Sequence, residues 1–321
     1  MLITGGLGFI GSTLARELVE AGADVVLVDS LIPEYGGRED NVSDIRDRVR
    51  INISDVRDRH SVESLVRDQH VIFNLAGQTS HLDSMTDPET DLEINCRSQL
   101  SLLEACRRNN PEARVVFAST RQLYGRPRYL PVDEEHPLAP VDVNGINKLA
   151  GEWYHLVYED VYGIPVSVLR LTNTFGPRMR VKDARQTFLG WWIRLLLTGQ
   201  ELTIFGDGVQ RRDFSYVDDA VNAFLLAGFR DEAVGEVFNL ASTEVVSLVE
   251  LAELIIRING NGTYRLVPFP DARKRIDIGD YFGDSSKIER ALGWASTVSL
   301  EQGLDRTLAF YREHGKAFWN E

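Results

Sequence analysis

Six short apolar runs punctuate the first half of the chain, at residues 2–4, 25–28, 49–53, 71–75, 115–118 and 166–171. Each is too short for a helix and apolar at consecutive positions, the pattern of a strand buried on both faces. Segments with helical spacing lie between them, notably 91–108 and 148–162. Strands that alternate with helices make a parallel sheet with helices on both faces, because each crossover must cover the sheet it leaves. The fold class expected is α/β, a doubly wound parallel sheet. Beyond residue 170 the texture changes. Residues 173–185 read as a loop rich in Gly, Pro and Arg, 188–197 as an apolar helix, and 201–205 as a strand ending in Gly206-Asp207-Gly208. A buried strand at 237–240, helices at 248–258 and 300–314 and a turn at 259–262 complete the reading. Residues 1–170 therefore form a first domain and residues 171–321 a smaller α/β domain, with a segment near 213–242 expected to return to the first.

Composition narrows the function. With 321 residues, 43% hydrophobic and 26% charged, the chain is an ordinary globular one, long enough for two domains. Its formal net charge is −13, which repels phosphate backbones and argues against nucleic acid and anionic membranes as partners. No apolar run reaches the ~18–20 residues of a membrane helix. The residues from Met1 to Gly5 lack the basic start of a secretory leader. Cys96 and Cys106 fall ten positions apart on one expected helix, roughly 15 Å along its axis, so no disulfide is expected. No metal-spaced cluster of His and Cys is present in the sequence, and a reduced, cytoplasmic setting is expected.

The turn after the first run carries the chemistry. Gly5, Gly8 and Gly11 fall between a strand and a helix, with Phe9 and Ile10 at the helix start. Glycine is needed where the turn takes a positive φ and where backbone approaches a pyrophosphate, whose charge then meets the helix N-terminus. The second strand ends at Asp29-Ser30, with Asp29 18 residues after Gly11. An acid there accepts hydrogen bonds from an adenosine ribose and repels a 2′-phosphate, which favours NAD over NADP.

The segment Thr4-Gly5-Gly6-Leu7-Gly8-Phe9-Ile10-Gly11 resembles the opening of the extended short-chain dehydrogenase/reductase family, the NAD-dependent epimerase/dehydratase group. The resemblance runs on through Asp55-Val56-Arg57-Asp58, similar to the segment that contacts adenine, and Leu75-Ala76-Gly77-Gln78, similar to the strand end lining the cofactor. Asn95 falls on the family's helix asparagine. Ser119-Thr120-Arg121-Gln122-Leu123-Tyr124-Gly125, the stretch from Leu169 to Arg178, and Arg212-Asp213-Phe214 match further family elements. The resemblance implies a Rossmann domain that binds NAD, a second domain that binds a nucleoside-diphosphate sugar, and hydride transfer at a sugar carbon, C4, of the epimerase type.

The family's base is a tyrosine four residues before a lysine that lowers its pKa and holds the nicotinamide ribose, with a Ser or Thr sharing the proton network. Here Thr120 and Lys148 are in place, and the tyrosine is Asn144. An amide neither takes nor gives a proton at useful pH. Three explanations stand open: another base (Lys148, Tyr124, His81 or Asp83), a chain that binds NAD and sugar nucleotide with lost or altered catalysis, or an engineered residue. A nucleotide-sugar dehydrogenase is a further alternative. The Asp-Glu pair that follows the Thr in 4,6-dehydratases is Arg121-Gln122 here, which disfavours dehydration. Arg121 suits an anionic substituent or plain solvent. On the substrate side the resemblance points to Thr120, Asn173, Arg178, Arg212 and Arg273. It also implies a homodimer through the helices near 91–108 and 144–162.

Overall fold

The computed structural model describes residues 1–319 except Gln186; Gln186, Asn320 and Glu321, on which part of the expected second domain falls, lie outside the described residues. The chain begins β1 (Leu2–Thr4), α1 (Phe9–Glu20), β2 (Val25–Asp29), β3 (Val49–Ile53), α2 (Arg59–Leu65) and β4 (Val71–Asn74). It continues through α3 (His81–Thr86), α4 (Pro88–Leu92), α5 (Ser98–Asn109), β5 (Arg114–Thr120), α6 (Val143–Tyr162) and β6 (Val166–Leu171). Then come β7 (Asn173–Phe175), α7 (Phe188–Leu197), β8 (Leu202–Phe205), β9 (Arg211–Tyr216), α8 (Val217–Phe229) and β10 (Val237–Leu240). The last elements are β11 (Val245–Ser247), α9 (Leu248–Asn259), β12 (Tyr264–Val267), α10 (Asp271–Arg275), α11 (Ser286–Leu292) and α12 (Leu300–Trp319).

Seven strands form one parallel sheet in the order β10-β6-β5-β4-β1-β2-β3. Side chains alternate across a strand, so each apolar run feeds two cores at once. Ile3, Leu27, Phe73, Val116 and Leu169 face a core shared with α1 and α8. Leu2, Val26, Val28, Ile72, Phe117 and Val168 face a second core shared with α5 and α6. This double burial is why the runs show no alternation in the sequence. The remaining strands make two small sheets, β11-β9-β7 and β12-β8, which pack with α7, α9 and α12.

Several sequence expectations change. Residues 49–53 form the edge of the sheet, the last strand in its order among the described residues, not a strand buried on both faces: Arg50 and Asn52 are exposed and Ile53 is 52% exposed. The expected loop 173–185 begins with β7, which pairs with β9 through Asn173↔Phe214. The helix expected over 91–108 is continuous from α4 into α5, widened by a π turn at Glu93–Arg97. The last helix runs on to Trp319. Out of the segment near 213–242, β10 pairs parallel with β6 and α8 lies across β5 and β6. Among the described residues no helix is long and apolar enough to cross a membrane.

Candidate active site

The sheet strands end on one side, and a cavity of about 310 Å³ opens there, where ligands of doubly wound sheets sit. Gly5, at φ +66°, turns the chain out of β1, and Gly8 is the N-cap of α1 with no side-chain cap bond. The first-turn amides of Phe9, Ile10 and Gly11 have no acceptor in the preceding helix turn and are left for an anion. A Cβ on Gly11 would lie 2.3 Å from the Gly5 carbonyl oxygen, so this turn closes only around glycine. Asp29, at the tip of β2, is half-buried; its Oδ2 accepts from the Leu7 N–H at 3.1 Å and its Oδ1 from the Leu31 N–H at 3.0 Å. Burial pushes its pKa up. Ser30, Asp55 and Val56 line the same end of the cavity, with Asp55 held by Arg57 at 2.6 Å. An anion cradle at a helix start, with a fixed carboxylate one strand away, fits a dinucleotide.

At the other end the cavity is lined by Leu75, Ala76 and Gly77 after β4, Ser119 and Thr120 at the end of β5, and Asn144 and Lys148 on α6. Lys148 is 5% exposed; its ammonium donates to the Ala118 carbonyl at 3.1 Å and lies 5.1 Å from the Phe117 ring centre. Burial lowers its pKa to about 8. A Cβ on Gly77 would come within 2.9 Å of Nζ, so that glycine leaves the lysine its place. Thr120 Oγ1 accepts from the Gln122 N–H at 3.2 Å. Ser119 donates to Glu152 at 2.7 Å, and Glu152 pairs with Arg170.

Asn144 is integrated into a buried network. Its side-chain amide donates to the Gln78 carbonyl at 2.8 Å and to Asp91 Oδ2 at 3.0 Å, and its backbone N–H donates to Ser84. The same Asp91, fully buried, accepts from Asn95 at 3.0 Å and Asn147 at 2.7 Å. Three amides thus satisfy one carboxylate. Asn95 stands behind the cavity wall, holding Gln78 through both its amide atoms.

The candidate bases separate cleanly. Tyr124 is fully buried, accepts from Arg170 and donates to Asn239 at 2.7 Å; burial drives its pKa to about 12, and it does not line the cavity. Asp83 faces a shallow neighbouring depression. His81 lines the cavity, with Nδ1 3.0 Å from Asp142 Oδ2, off the best hydrogen-bond line. Asp142 is also the N-cap of α6, accepting from the Gly145 N–H at 2.7 Å, and it accepts from Gln122 at 2.8 Å.

The substrate-side residues divide. Asn173 lines the cavity, donating to the Asp213 carbonyl and accepting from Arg121 Nη2 at 3.1 Å. The three expected arginines do not line it. Arg178, at a positive φ of 71°, lies over the Phe310 ring of α12 at 5.5 Å. Arg212 is buried and donates to the Arg211 and Gly279 carbonyls. Arg273, on α10, covers the Phe205 ring at 5.3 Å. The cavity wall carries Arg121 and Arg180 in their stead. Sequence reading missed Asp91 and Asp142. Asp142 had a signal, an acid two residues before the expected helix position of Asn144, where an N-cap belongs; Asp91 had none, since its importance lies in three asparagines that meet it in space.

The model of the NAD dependent epimerase/dehydratase family matches residues 1–241. UDP-glucuronic acid decarboxylase 1 of Xenopus tropicalis is 32% identical over 321 residues, 98% of this chain and 72% of that one. The structure of UDP-glucose 4-epimerase from Thermotoga maritima, solved with UDP-glucose, superposes with a TM-score of 0.88 at 31% identity, covering 97% of this chain and 98% of that one. The dTDP-glucose 4,6-dehydratase of Streptomyces venezuelae, solved with NAD bound, gives 0.89 at 27% identity, covering 99% and 98%.

Proposed function

The chain belongs to the NAD-dependent epimerase/dehydratase family and is an NAD-dependent enzyme; on that premise we propose that it moves a hydride to and from C4 of a nucleoside-diphosphate sugar, an epimerase-type oxidation and re-reduction. The observation that carries this is one continuous cavity joining the glycine turn and Asp29 to Thr120, Asn144 and Lys148. NAD, when bound, supplies a two-electron acceptor beside the sugar carbon. The first turn of α1 holds the pyrophosphate, and Asp29 holds the adenosine ribose and disfavours a 2′-phosphate. Lys148 donates to the nicotinamide ribose, and Thr120 hydrogen-bonds the reacting hydroxyl. Asn144 fixes Lys148's helix against Asp91 and Gln78. The experiment is to offer NAD and a panel of nucleotide sugars to the purified protein. Isomerised product without net NADH is expected; stoichiometric free NADH would mark a dehydrogenase, and neither product nor NADH would refute the reading.

A second reading of the substrate is favoured by Arg121. Its guanidinium lies against the Tyr281 ring at 5.0 Å, next to Thr120, and among the described residues no carboxylate is within ion-pairing reach of it. A half-buried cation with no ion pair, attracted by Asp213 only at longer range, suits a substrate that brings a closer counter-charge, such as a sugar carboxylate, and a relative is named a UDP-glucuronic acid decarboxylase. Including UDP-glucuronate in the panel tests it: Arg121→Met should raise KM for a uronate by about tenfold or more and leave a neutral hexose unaffected.

The enzyme works as a homodimer in this account. α6 carries an exposed apolar stripe of Ile146, Trp153, Val157 and Val161, with helical spacing, which a second copy covers.

A further inference from the structure

The asparagine at position 144 leaves the proposed hydride transfer without the family's proton acceptor, and the cavity offers a replacement. The titratable side chains lining it are Asp29, Tyr35, Asp55, His81, Arg121, Lys148 and Arg180. Asp29 and Asp55 belong to the adenosine end. Arginine does not deprotonate. Lys148 is committed to the Ala118 carbonyl, and among the described residues no carboxylate pairs with it. His81 differs in having a counter-charge behind it: Nδ1 lies 3.0 Å from Asp142, whose side chain is fully buried while the imidazole is 34% exposed. Nδ1 is buried at that contact, and Nε2 makes no hydrogen bond to any of the described residues. Asp142 is held rigidly by the Gly145 N–H and by Gln122, and Gln122 also donates its N–H to Thr120. One chain of contacts thus runs from Thr120 through Gln122 and Asp142 to His81.

We propose that His81, oriented by Asp142, is the general acid–base that takes the place of the missing tyrosine, exchanging a proton with the reacting sugar hydroxyl. The inference rests on the hydride-transfer reading above. In the forward step Nε2 of neutral His81 takes the hydroxyl proton while the C–H bond breaks and its electron pair passes, with the hydrogen, to the oxidised dinucleotide; the carbon becomes C=O. Asp142 stabilises the imidazolium. In the return step the carbonyl carbon regains the hydride and its oxygen takes the proton back from His81, so atoms and charge balance over the cycle. Asp142 is a positioning residue; a small turn of the ring that aligns Nδ1–H on its Oδ2, 3.0 Å away, holds the tautomer that leaves Nε2 basic. The charged groups around the imidazole are Asp142 from α6, Asp83 of its own helix, paired with Arg185 at 3.7 Å, and Lys148, Arg121 and Tyr35 along the cavity wall.

The test uses NAD-loaded protein and three variants, His81→Gln, His81→Ala and Asp142→Asn. Calorimetry with NAD and with UDP reports binding, and single-turnover reduction of the bound nicotinamide by the sugar panel reports chemistry across pH. Both His81 variants should bind NAD and UDP within about threefold of wild type yet lose about 10²–10⁴-fold in rate, together with the acidic limb of the pH profile. Added imidazole should restore His81→Ala at least tenfold. Asn at 142 keeps the helix cap but presents N–H to Nδ1, so it should lose about 10³-fold or more through the wrong tautomer. Histidine variants that keep the wild-type rate and pH limb overturn the proposal and leave the hydride reading standing. A wild type that binds NAD but never reduces it with any sugar of the panel overturns both.

Discussion

Asn144 has a partner for every amide proton, and its neighbours are matched to it. A tyrosine there would remove one of three donors from the buried Asp91 carboxylate and push a ring into a position that is 2% exposed. Asn95 and Asn147 still serve Asp91, so the loss is one hydrogen bond to a charged group, about 1.5–3 kcal/mol, together with the strain of the ring. Asn144→Tyr is therefore expected to lower the melting temperature and to bring no gain in turnover; a tenfold gain would mean that the site is a disabled version of the ordinary one. His155, fully buried against Phe117, donating from Nδ1 to the Gly151 carbonyl and accepting at Nε2 from the Asn74 amide, sets an acid limit. Burial lowers its pKa from 6.5 to about 4, so between those values the unfolded chain binds a proton that the folded chain does not. Stability falls as pH drops through 6.5 and the loss is complete near 4, up to about 3 kcal/mol from this group. Chemical denaturation at pH 7 and pH 4.5 should show the loss, and His155→Gln should flatten it. The sequence made Thr120, Lys148 and Asn144 legible because motif spacing fixes them. It hid Asp91 because the amides that satisfy it come from three separate places.

At the scale of elements, the β1–α1 turn is where sequence and structure agree most closely. Local backbone geometry alone demands glycine there, so spacing is enough to read it. Gly11→Ala sets a methyl 2.3 Å from the Gly5 carbonyl and must open the turn; NAD affinity should fall by at least about tenfold while the far-UV spectrum stays that of the wild type. Unchanged affinity would show that the dinucleotide does not rest on this turn. β9 was invisible for the opposite reason. Arg211-Arg212-Asp213-Phe214-Ser215-Tyr216 carries charges that normally stay in water, yet all but Arg211 are buried. Asp213 sits there with its pKa pushed up to about 6 by burial. Charges compensated by tertiary neighbours leave no periodic trace in the chain.

For the whole molecule, the two faces of the seven-stranded sheet follow from the apolar runs, but the covering of α6 does not. Trp153 is 54% exposed and Val161 61%, and a stable homodimer must bury roughly 1,200–2,000 Å² in total. Trp153→Glu places a charge in the middle of that stripe and should convert a dimer to a monomer by sedimentation; a wild-type chain already monomeric at micromolar concentration would remove this part of the account. The substrate is the least legible feature, since the residues expected to read it, Arg178, Arg212 and Arg273, are spent on Phe310, backbone carbonyls and Phe205. Arg121, which the sequence already suited to an anionic substituent, and Arg180 line the cavity instead. The central claim is electron transfer between a dinucleotide at the first turn and a sugar at Thr120 and Lys148. Its most direct test is the nicotinamide absorbance of NAD-loaded protein mixed rapidly with each nucleotide sugar of a panel. Transient reduction is expected with at least one of them, absent in Lys148→Met. Protein that holds NAD and binds a nucleotide sugar without any change in that absorbance would contradict it.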